Sequence, residues 1–179
     1  MIMKKVSLFF GGLFVFLLLI ACEDFPSISP AFTFSKEFYV NNSGVSFSGQ
    51  DVVDANSASG FDKYLDKVTK VKIKKITYTI TEVGGSATKL NSGTLAVANS
   101  DGSGKTNLVT LSNIDFASAL NNETEISAES AGITLVENAL ATSPNKLNIY
   151  YSGTANQAPI KLRVKVSFYT KITVKLLGS

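Results

Sequence analysis

The clearest pattern in this chain is a long alternation of apolar and polar residues near the C-terminus. From residue 160 to residue 176 one parity is apolar apart from Thr170, and the other parity is mostly Lys, Arg, Ser, Thr and Tyr. A period of two places these sets on opposite faces of a strand, one buried and one solvated, as in an antiparallel sheet. Such a run would exceed about 50 Å at ~3.3 Å per residue, so we expect a bend near residues 167–170, where the strand passes between two sheets.

Shorter alternating segments earlier in the chain predict further strands. They are separated by turn-forming stretches rich in Gly, Asn and Ser, such as residues 41–44 and 99–104. The alternation changes phase at Lys74-Lys75, which predicts a β-bulge there, because a slip of one residue exchanges the two faces. The predicted strands are 32–40, one starting at residue 45, 71–80, 94–97, 107–111 and 147–151.

Two segments have helical spacing. Phe61, Tyr64, Leu65 and Val68 form one apolar face after Ser59, a residue suited to cap a helix. Residues 132–142 carry apolar positions at the same spacing and end before Ser143-Pro144, although residues 133–135 also suit a strand. The fold class predicted is mainly β: an antiparallel β-sandwich, immunoglobulin-like in architecture, over residues 32–179, with one or two short packed helices.

The N-terminus has a different character. Two lysines in Met1–Lys5 precede an apolar run over residues 8–20, which is shorter than the ~20 residues of a spanning helix and is followed at once by acidic residues. We therefore predict a signal peptide over residues 1–21, cleaved after Ala21. Residues 22–31 contain Pro26 and Pro30 and predict a short extended tether.

The sequence Leu19-Ile20-Ala21-Cys22 resembles a lipobox, and it contains the chain's single cysteine. The segment that follows, Glu23-Asp24-Phe25-Pro26, resembles the start of small Bacteroidota-type outer-membrane lipoproteins of undefined function. Residues 136–176 are similar to the tail of such proteins: a helix, a strand, a Gly-centred turn, a Pro and a long last strand. The resemblance implies acylation of Cys22, by palmitate among other chains, and a lipid-anchored location at the outer membrane, exposed at the cell surface. In other Gram-negative groups, acidic residues after the cysteine instead favour retention at the inner membrane.

Composition narrows the possible functions. The chain has no histidine, no tryptophan and one cysteine. Without histidine there is no side chain with an intrinsic pKa near neutrality and no Ser–His or Cys–His pair, so a non-catalytic role without metal or cofactor is expected. No internal disulfide can form. After removal of the leader the net charge is close to zero, which gives no reason to propose nucleic acid as a partner.

Several short motifs are too incomplete to assign chemistry. Gly104-Lys105-Thr106 matches the end of a phosphate-binding loop, but the residues after it are predicted to form a strand, whereas such a loop needs a helix N-terminus. Asn99, Asp101 and Ser103 have the spacing of a calcium loop, yet Thr110 stands where the bidentate Glu belongs. The acidic residues Glu123, Glu125 and Glu129 are expected to lie on a solvated surface.

Two binding hypotheses remain. The polar parity of the last strand forms a stripe for contact with anionic lipid headgroups or an acidic envelope protein, its alternative being an ordinary solvated sheet face. The stripe consists of Lys161, Arg163, Lys165, Tyr169, Lys171 and Lys175. The second hypothesis is a glycan-binding accessory protein. It depends on aromatic faces at Tyr39, Tyr150 and Tyr169, and the absence of tryptophan weakens it.

Overall fold

The computed structural model describes residues 27–175, which form two antiparallel sheets packed face to face. The strands are β1 (Ser27–Ile28), β2 (Ala31–Asn42), β3 (Ser46–Asp54), β4 (Val68–Gly85), β5 (Lys89–Asn99), β6 (Thr106–Asp115), β7 (Thr124–Ile126), β8 (Lys146–Ala155) and β9 (Ile160–Lys175). The helices are two short 3₁₀ segments, Ala55–Ser57 and Asp62–Lys67, and two α-helices, α1 (Phe116–Ala119) and α2 (Ser130–Ala141). The predicted leader, Ala21 and Cys22 lie outside the described residues.

The predicted antiparallel β-sandwich is confirmed. In sheet A, β9 is central, with β4 on one side and β1 and β2 on the other, while β7 pairs with the outer side of β4. Sheet B has the order β3-β8-β5-β6. The turns β2–β3, β4–β5 and β8–β9 carry the chain between the sheets at one end of the sandwich, here called the far end. The opposite, N-terminal end contains Ser27, Lys175 and the connection from β3 to β4.

The core follows the alternation read from the sequence. On β9 the apolar parity faces sheet B, and Phe168 and Ile172 have no exposed surface. At the N-terminal end the rings of Phe34 and Phe61 meet edge to face with centroids 5.1 Å apart, a favourable arrangement of two aromatic rings. Lys36, the one charged residue of the inward parity of β2, reaches Asp51 of β3 at 2.7 Å. This ion pair joins the two sheets at their edge.

The predicted bend in the last strand is wrong. β9 stays in sheet A along its whole length, paired with β4 from Gly85–Ile160 to Val68–Val174. The irregularities lie in β4 instead, between Val68 and Lys70, Ile73 and Lys75, and Ile80 and Glu82. The second of these confirms the predicted bulge at Lys74–Lys75. Extra residues in one strand increase the local twist, so β4 can follow the coil of the sheet while it stays paired with β9.

The two predicted helices have different outcomes. The helix predicted at 132–142 is confirmed as α2, which buries Val136 and Leu140. The first predicted helix is a 3₁₀ segment, Asp62–Lys67, and it begins after Phe61 without a Ser59 cap. Packing explains the difference, because Phe61 is fully buried against β2 and holds the chain there before a regular α-helical turn can form.

Helix α2 also covers an exposed strand edge. β7 pairs with β4 only at residues 76–78, which leaves the N-terminal half of β4 without a strand on its outer side. There the Glu137 carboxylate accepts a hydrogen bond from the backbone N–H of Ile73 at 2.8 Å. A carboxylate in this position blocks further strand pairing at that edge. Across residues 27–175, none of the helices combines the length and the apolar character needed to traverse a bilayer.

Gly132 should be required for the contact between α2 and β6. A Cβ placed on Gly132 would lie 2.6 Å from the carbonyl oxygen of Asn107 and 2.8 Å from the Cα of Leu108, both of them backbone atoms. Alanine is the better helix former by about 1 kcal/mol, but overpacking against backbone typically costs about 1–3 kcal/mol. We expect Gly132→Ala to lower the free energy of unfolding in a denaturant titration. The control Ala131→Gly, at an exposed neighbour, should cost about 1 kcal/mol from helix propensity alone. A more stable Gly132→Ala protein would contradict the close packing.

Candidate functional site

The predicted stripe lies on the outer face of sheet A. Its Lys and Arg residues are exposed and Tyr169 is half-buried, as the alternation predicted. β9 is paired on both sides, so these lysines do not protect an edge strand. The strands beside β9 divide the stripe into three parts with different electrostatic surroundings.

The part toward the far end is neutralised by carboxylates of the neighbouring strands. Arg163 lies between Glu82 of β4, at 3.3 Å, and Glu37 of β2, at 3.7 Å. Lys161 lies 3.5 Å from the other oxygen of Glu82. These are exposed pairs of the kind that contribute little to stability, but the two carboxylates offset most of the positive charge here. Lys165, the third cation, lies opposite Glu37 on β2.

The middle of the stripe is a small polar network. The hydroxyl of Tyr169 donates a hydrogen bond to Glu123 at 2.9 Å, and Lys75 Nζ lies 3.5 Å from the same carboxylate. The Lys75 ammonium also lies 4.3 Å from the centroid of the Tyr169 ring. The hydrogen bond from Tyr169 lowers the pKa of Glu123, and the bond to that carboxylate raises the pKa of Tyr169. The hydroxyl and one ring face of Tyr169 are therefore occupied within the chain.

The part of the stripe at the N-terminal end remains positive and extends onto neighbouring segments. Lys171 lies directly opposite Lys72 of β4, and only Lys72 has a carboxylate, Glu137, within reach at 3.3 Å. Further exposed lysines come from the 3₁₀ segment and the start of β4. We call the following set the basic end: Lys63, Lys67, Lys70, Lys74, Lys171 and Lys175. Among residues 27–175, none of the six has a carboxylate oxygen within 4.0 Å.

Sequence reasoning found the members of the basic end but not their proximity. In the sequence, the lysines between residues 63 and 75 lie on a predicted helix and the strand after it, and these are separate from the stripe on β9. The register of β4 against β9 brings the two sets together, since Lys70 pairs with Thr173 and Lys72 with Lys171. The only signal in the sequence is a group of lysines just before a predicted strand. The sequence does not show which strand lies beside that one.

A second surface lies on the outer face of sheet B. Here β3, β5, β6 and β8 present uncharged polar side chains around a shallow groove of about 500 Å³. Lys105 contributes the charge of this groove, and its Nζ lies 4.0 Å from the centroid of the half-buried Tyr150 ring. Cross-strand hydrogen bonds fix part of the floor, including Thr94 Oγ1 to Ser152 Oγ at 2.8 Å. We call this surface the Tyr150 groove; its lining includes Ser48, Gln50, Thr94, Asn107, Tyr150 and Ser152.

The three tyrosines considered for glycan binding do not form one platform. Tyr39 and Tyr169 lie on sheet A, whereas Tyr150 lies on sheet B. Tyr39 is 47% exposed, with the Arg163 guanidinium 5.7 Å from its ring centroid. Only Tyr150 among these three sits in a groove with several uncharged hydrogen-bonding side chains.

The remaining motifs have structural explanations. β6 begins at Thr106, so the segment after Gly104-Lys105 is a strand, as predicted. Asp101 closes the preceding turn by accepting a hydrogen bond from the Ser103 N–H at 2.9 Å. Glu129 accepts a hydrogen bond from Asn107. In the part of the chain from 27 to 175, no three His, Cys, Asp or Glu residues are grouped so as to hold a metal ion.

No protein-family model matches the sequence, and no curated protein matches it. Solved structures do match. One is described as Desmodium yellow mottle tymovirus, 14% identical, with a TM-score of 0.36 and coverage of 85% of this chain and 91% of that chain. Another is a decameric BFDV capsid protein, 14% identical, with a TM-score of 0.37 and coverage of 82% and 99%.

Replacing Glu123 should change the titration of Tyr169. Because the Glu123 carboxylate raises the pKa of Tyr169 above 10.0, we expect Glu123→Gln to bring that pKa back toward 10.0. The measurement is an NMR pH titration of labelled tyrosine, with Tyr169→Phe to assign the signal. Glu125→Gln, on the same short strand, is the matched control and should leave Tyr169 unchanged.

The sign of the linked stability follows from both shifts. The raised pKa of Tyr169 contributes stability that is present below pH 10.0 and is lost as the pH rises through the folded-state value. The lowered pKa of Glu123 contributes stability that is present above pH 4.5 and is lost as the pH falls through its folded-state value. An unaltered Tyr169 titration in Glu123→Gln would refute the hydrogen bond.

Proposed function

We propose that this protein is a membrane-anchored lipoprotein of the cell envelope, held by lipid on Cys22, whose β-sandwich has a non-catalytic structural or protein-binding role. The leader and the sequence Leu19-Ile20-Ala21-Cys22 support the anchor. The acidic residues Glu23 and Asp24 support placement at the outer membrane, with the domain exposed at the cell surface.

The position of Ser27 in the fold is the observation that supports this proposal. Ser27 pairs with Lys175 at the end of the central strand of sheet A, and Ser27 is five residues after Cys22. Five residues of extended chain span at most about 18 Å. A lipid on Cys22 would therefore hold the N-terminal end of the sandwich beside the bilayer and leave the far end directed away from it.

The non-catalytic part of the proposal is supported by the character of the interior and of the acidic residues. The space between the sheets is about 90 Å³ and its lining is almost wholly apolar, with side chains such as Phe38, Val109 and Leu162. The carboxylates Glu82 and Glu123 are engaged with basic side chains on the outer surface. Carboxylates held in exposed ion pairs are typical of a solvated protein surface.

The Tyr150 groove favours a second candidate, a glycan-binding accessory lipoprotein. Sugars are bound by an aromatic face together with several neutral hydrogen-bond donors and acceptors, because their hydroxyls need partners while their C–H faces pack on a ring. Tyr150 supplies a ring, and Gln50, Asn107 and Ser152 supply polar groups around it. The Lys105 ammonium would suit a saccharide that carries a carboxylate.

Substituting Cys22 tests the anchor. We expect the parent chain expressed in its native envelope to incorporate labelled palmitate and to fractionate with membranes. Cys22→Ser should lose the label completely and keep its apolar leader, seen as a larger apparent mass, because the leader would no longer be exchanged for lipid. Ser27→Ala, at a site that bears no lipid in this proposal, is the control and should retain label and location. A Cys22→Ser protein that stays membrane-bound and is processed at the same residue would refute the anchor.

The glycan candidate is tested by retention in polysaccharide gels. Tyr150→Ala should reduce retention by about fivefold, since loss of a stacking ring costs about 1 kcal/mol. Tyr39→Ala removes an exposed ring from sheet A and serves as the matched control, with retention unchanged. If both variants behave like the parent, the groove is not a glycan site.

A further inference from the structure

We infer that the basic end binds phosphate-bearing anionic lipid headgroups, so that the sandwich stands with its N-terminal end against the bilayer surface. This inference rests on the proposed lipid anchor for its orientation, but the interaction itself depends on lysines that the fold brings together. It assigns a surface and a partner to residues that the far-end ion pairs and the Tyr150 groove do not use.

The local charge at the basic end favours an anionic partner. Six lysines from three separate segments converge at this end, and the carboxylates placed among them are Asp62 and Asp66 on the 3₁₀ segment and Glu137 on α2. Glu137 is already engaged by Lys72 and by the Ile73 N–H. At the far half of the same sheet, by contrast, Lys161 and Arg163 have carboxylate partners within 4.0 Å. The positive charge is therefore concentrated at one end of an almost neutral domain.

Two lysines that face each other in sheet A also favour an anionic partner. Lys171 and Lys72 are direct cross-strand neighbours on the outer face, with exposed Lys70 one position further along. Like charges directly opposite each other in a sheet reduce stability. Elsewhere on this face the chain places Glu opposite Lys or Arg, for example Glu37 opposite Lys165 and Glu82 opposite Arg163. Glu137 reaches Lys72 but is not within 4.0 Å of Lys171, so an external anion would relieve the repulsion that remains at Lys171.

The type of cation in the basic end favours a lipid surface over a single bound ligand. All members of the basic end are lysines, and the single arginine of the chain is Arg163 in the neutralised half. Arginine suits bidentate recognition of one phosphate in fixed geometry, whereas lysine is a mobile point charge. A set of exposed lysines without arginine fits a surface of many laterally mobile phosphates better than a single bound ligand.

The position of the chain entry selects the bilayer as that surface. Ser27 pairs with Lys175, so the polypeptide leads toward Cys22 from within the basic end. Each lysine close to an anionic bilayer contributes roughly a fivefold increase in partitioning at low ionic strength. In a protein that already carries lipid, this attraction would set the orientation of the sandwich, with the turns at the far end directed outward.

The test uses a chain that begins at residue 22 with Cys22→Ser, because the apolar leader would itself insert into vesicles. This chain retains every described strand and helix and the whole described core. Its sedimentation with vesicles of phosphatidylcholine alone is compared with sedimentation with vesicles that also contain phosphatidylglycerol. We expect binding to the anionic vesicles only, and its loss when ionic strength rises from about 0.1 M to about 1 M. Equal binding to both compositions, or none to either, would overturn the inference.

Two triple variants with the same change in net charge locate the binding surface. Lys70→Gln, Lys74→Gln and Lys171→Gln together should lower anionic partitioning by at least about tenfold. Lys89→Gln, Lys161→Gln and Lys165→Gln together remove three cations away from the basic end and should lower it by less than about threefold. Circular dichroism of both variants checks that the sandwich is intact. Equal losses in the two variants would show that net charge, not the basic end, drives binding.

A fluorescent probe tests the orientation directly. In the same Cys22→Ser chain, a dye is attached at Ser59→Cys, in the connection from β3 to β4, or at Ser43→Cys, in the β2–β3 turn. Quenching by headgroup-labelled lipid should be strong for the first site and weak for the second, and equal quenching would overturn the inference. Neither vesicle result depends on lipidation in cells, so failure of the anchor and failure of this surface are distinguishable.

Discussion

The pairing of β9 with β2 and β4 through the middle of sheet A is the constraint on which the rest of the structure depends. One face of β9 is apolar for almost its whole length, and its side chains Phe168, Ile172 and Val174 are buried in the core. A shift of the register by one residue would turn lysines into the core, so the pairing is strongly specified. β4 stays paired with β9 through three register shifts. Its apolar side chains Ile76 and Ile80 remain buried on the inner face.

The same register decides the electrostatics of the outer face. It sets Glu82 and Glu37 around Arg163 and places Tyr169 within hydrogen-bonding distance of Glu123. Toward the N-terminal end it aligns lysine with lysine. A stripe that has uniform chemistry in the sequence thus becomes a part largely offset by carboxylates, a polar middle and a positive part. The difference arises from the neighbouring strands rather than from β9 itself.

The two outer faces of the sandwich are chemically distinct, which suits a domain held in one orientation. Sheet A carries most of the charged side chains and leads to the basic end, while sheet B presents neutral polar groups around Tyr150. Under the proposed anchoring, the lysines would meet the membrane and the Tyr150 groove would stand to the side, accessible to an envelope component. The aromatic cluster of Phe32, Phe34 and Phe61 closes the N-terminal end of the core.

The sequence by itself determined the β class, the inward and outward faces of β9, the bulge near Lys74 and the position of α2, because all of these follow from local periodicity. Local composition also predicts the leader and the lipidation of Cys22. Only the tertiary structure decided that β9 remains in one sheet, that residues after Phe61 form a 3₁₀ segment, and that Lys70 and Lys72 lie beside Thr173 and Lys171. Cross-strand neighbours more than ninety residues apart are set by register and packing, and periodicity within one segment contains no information about them.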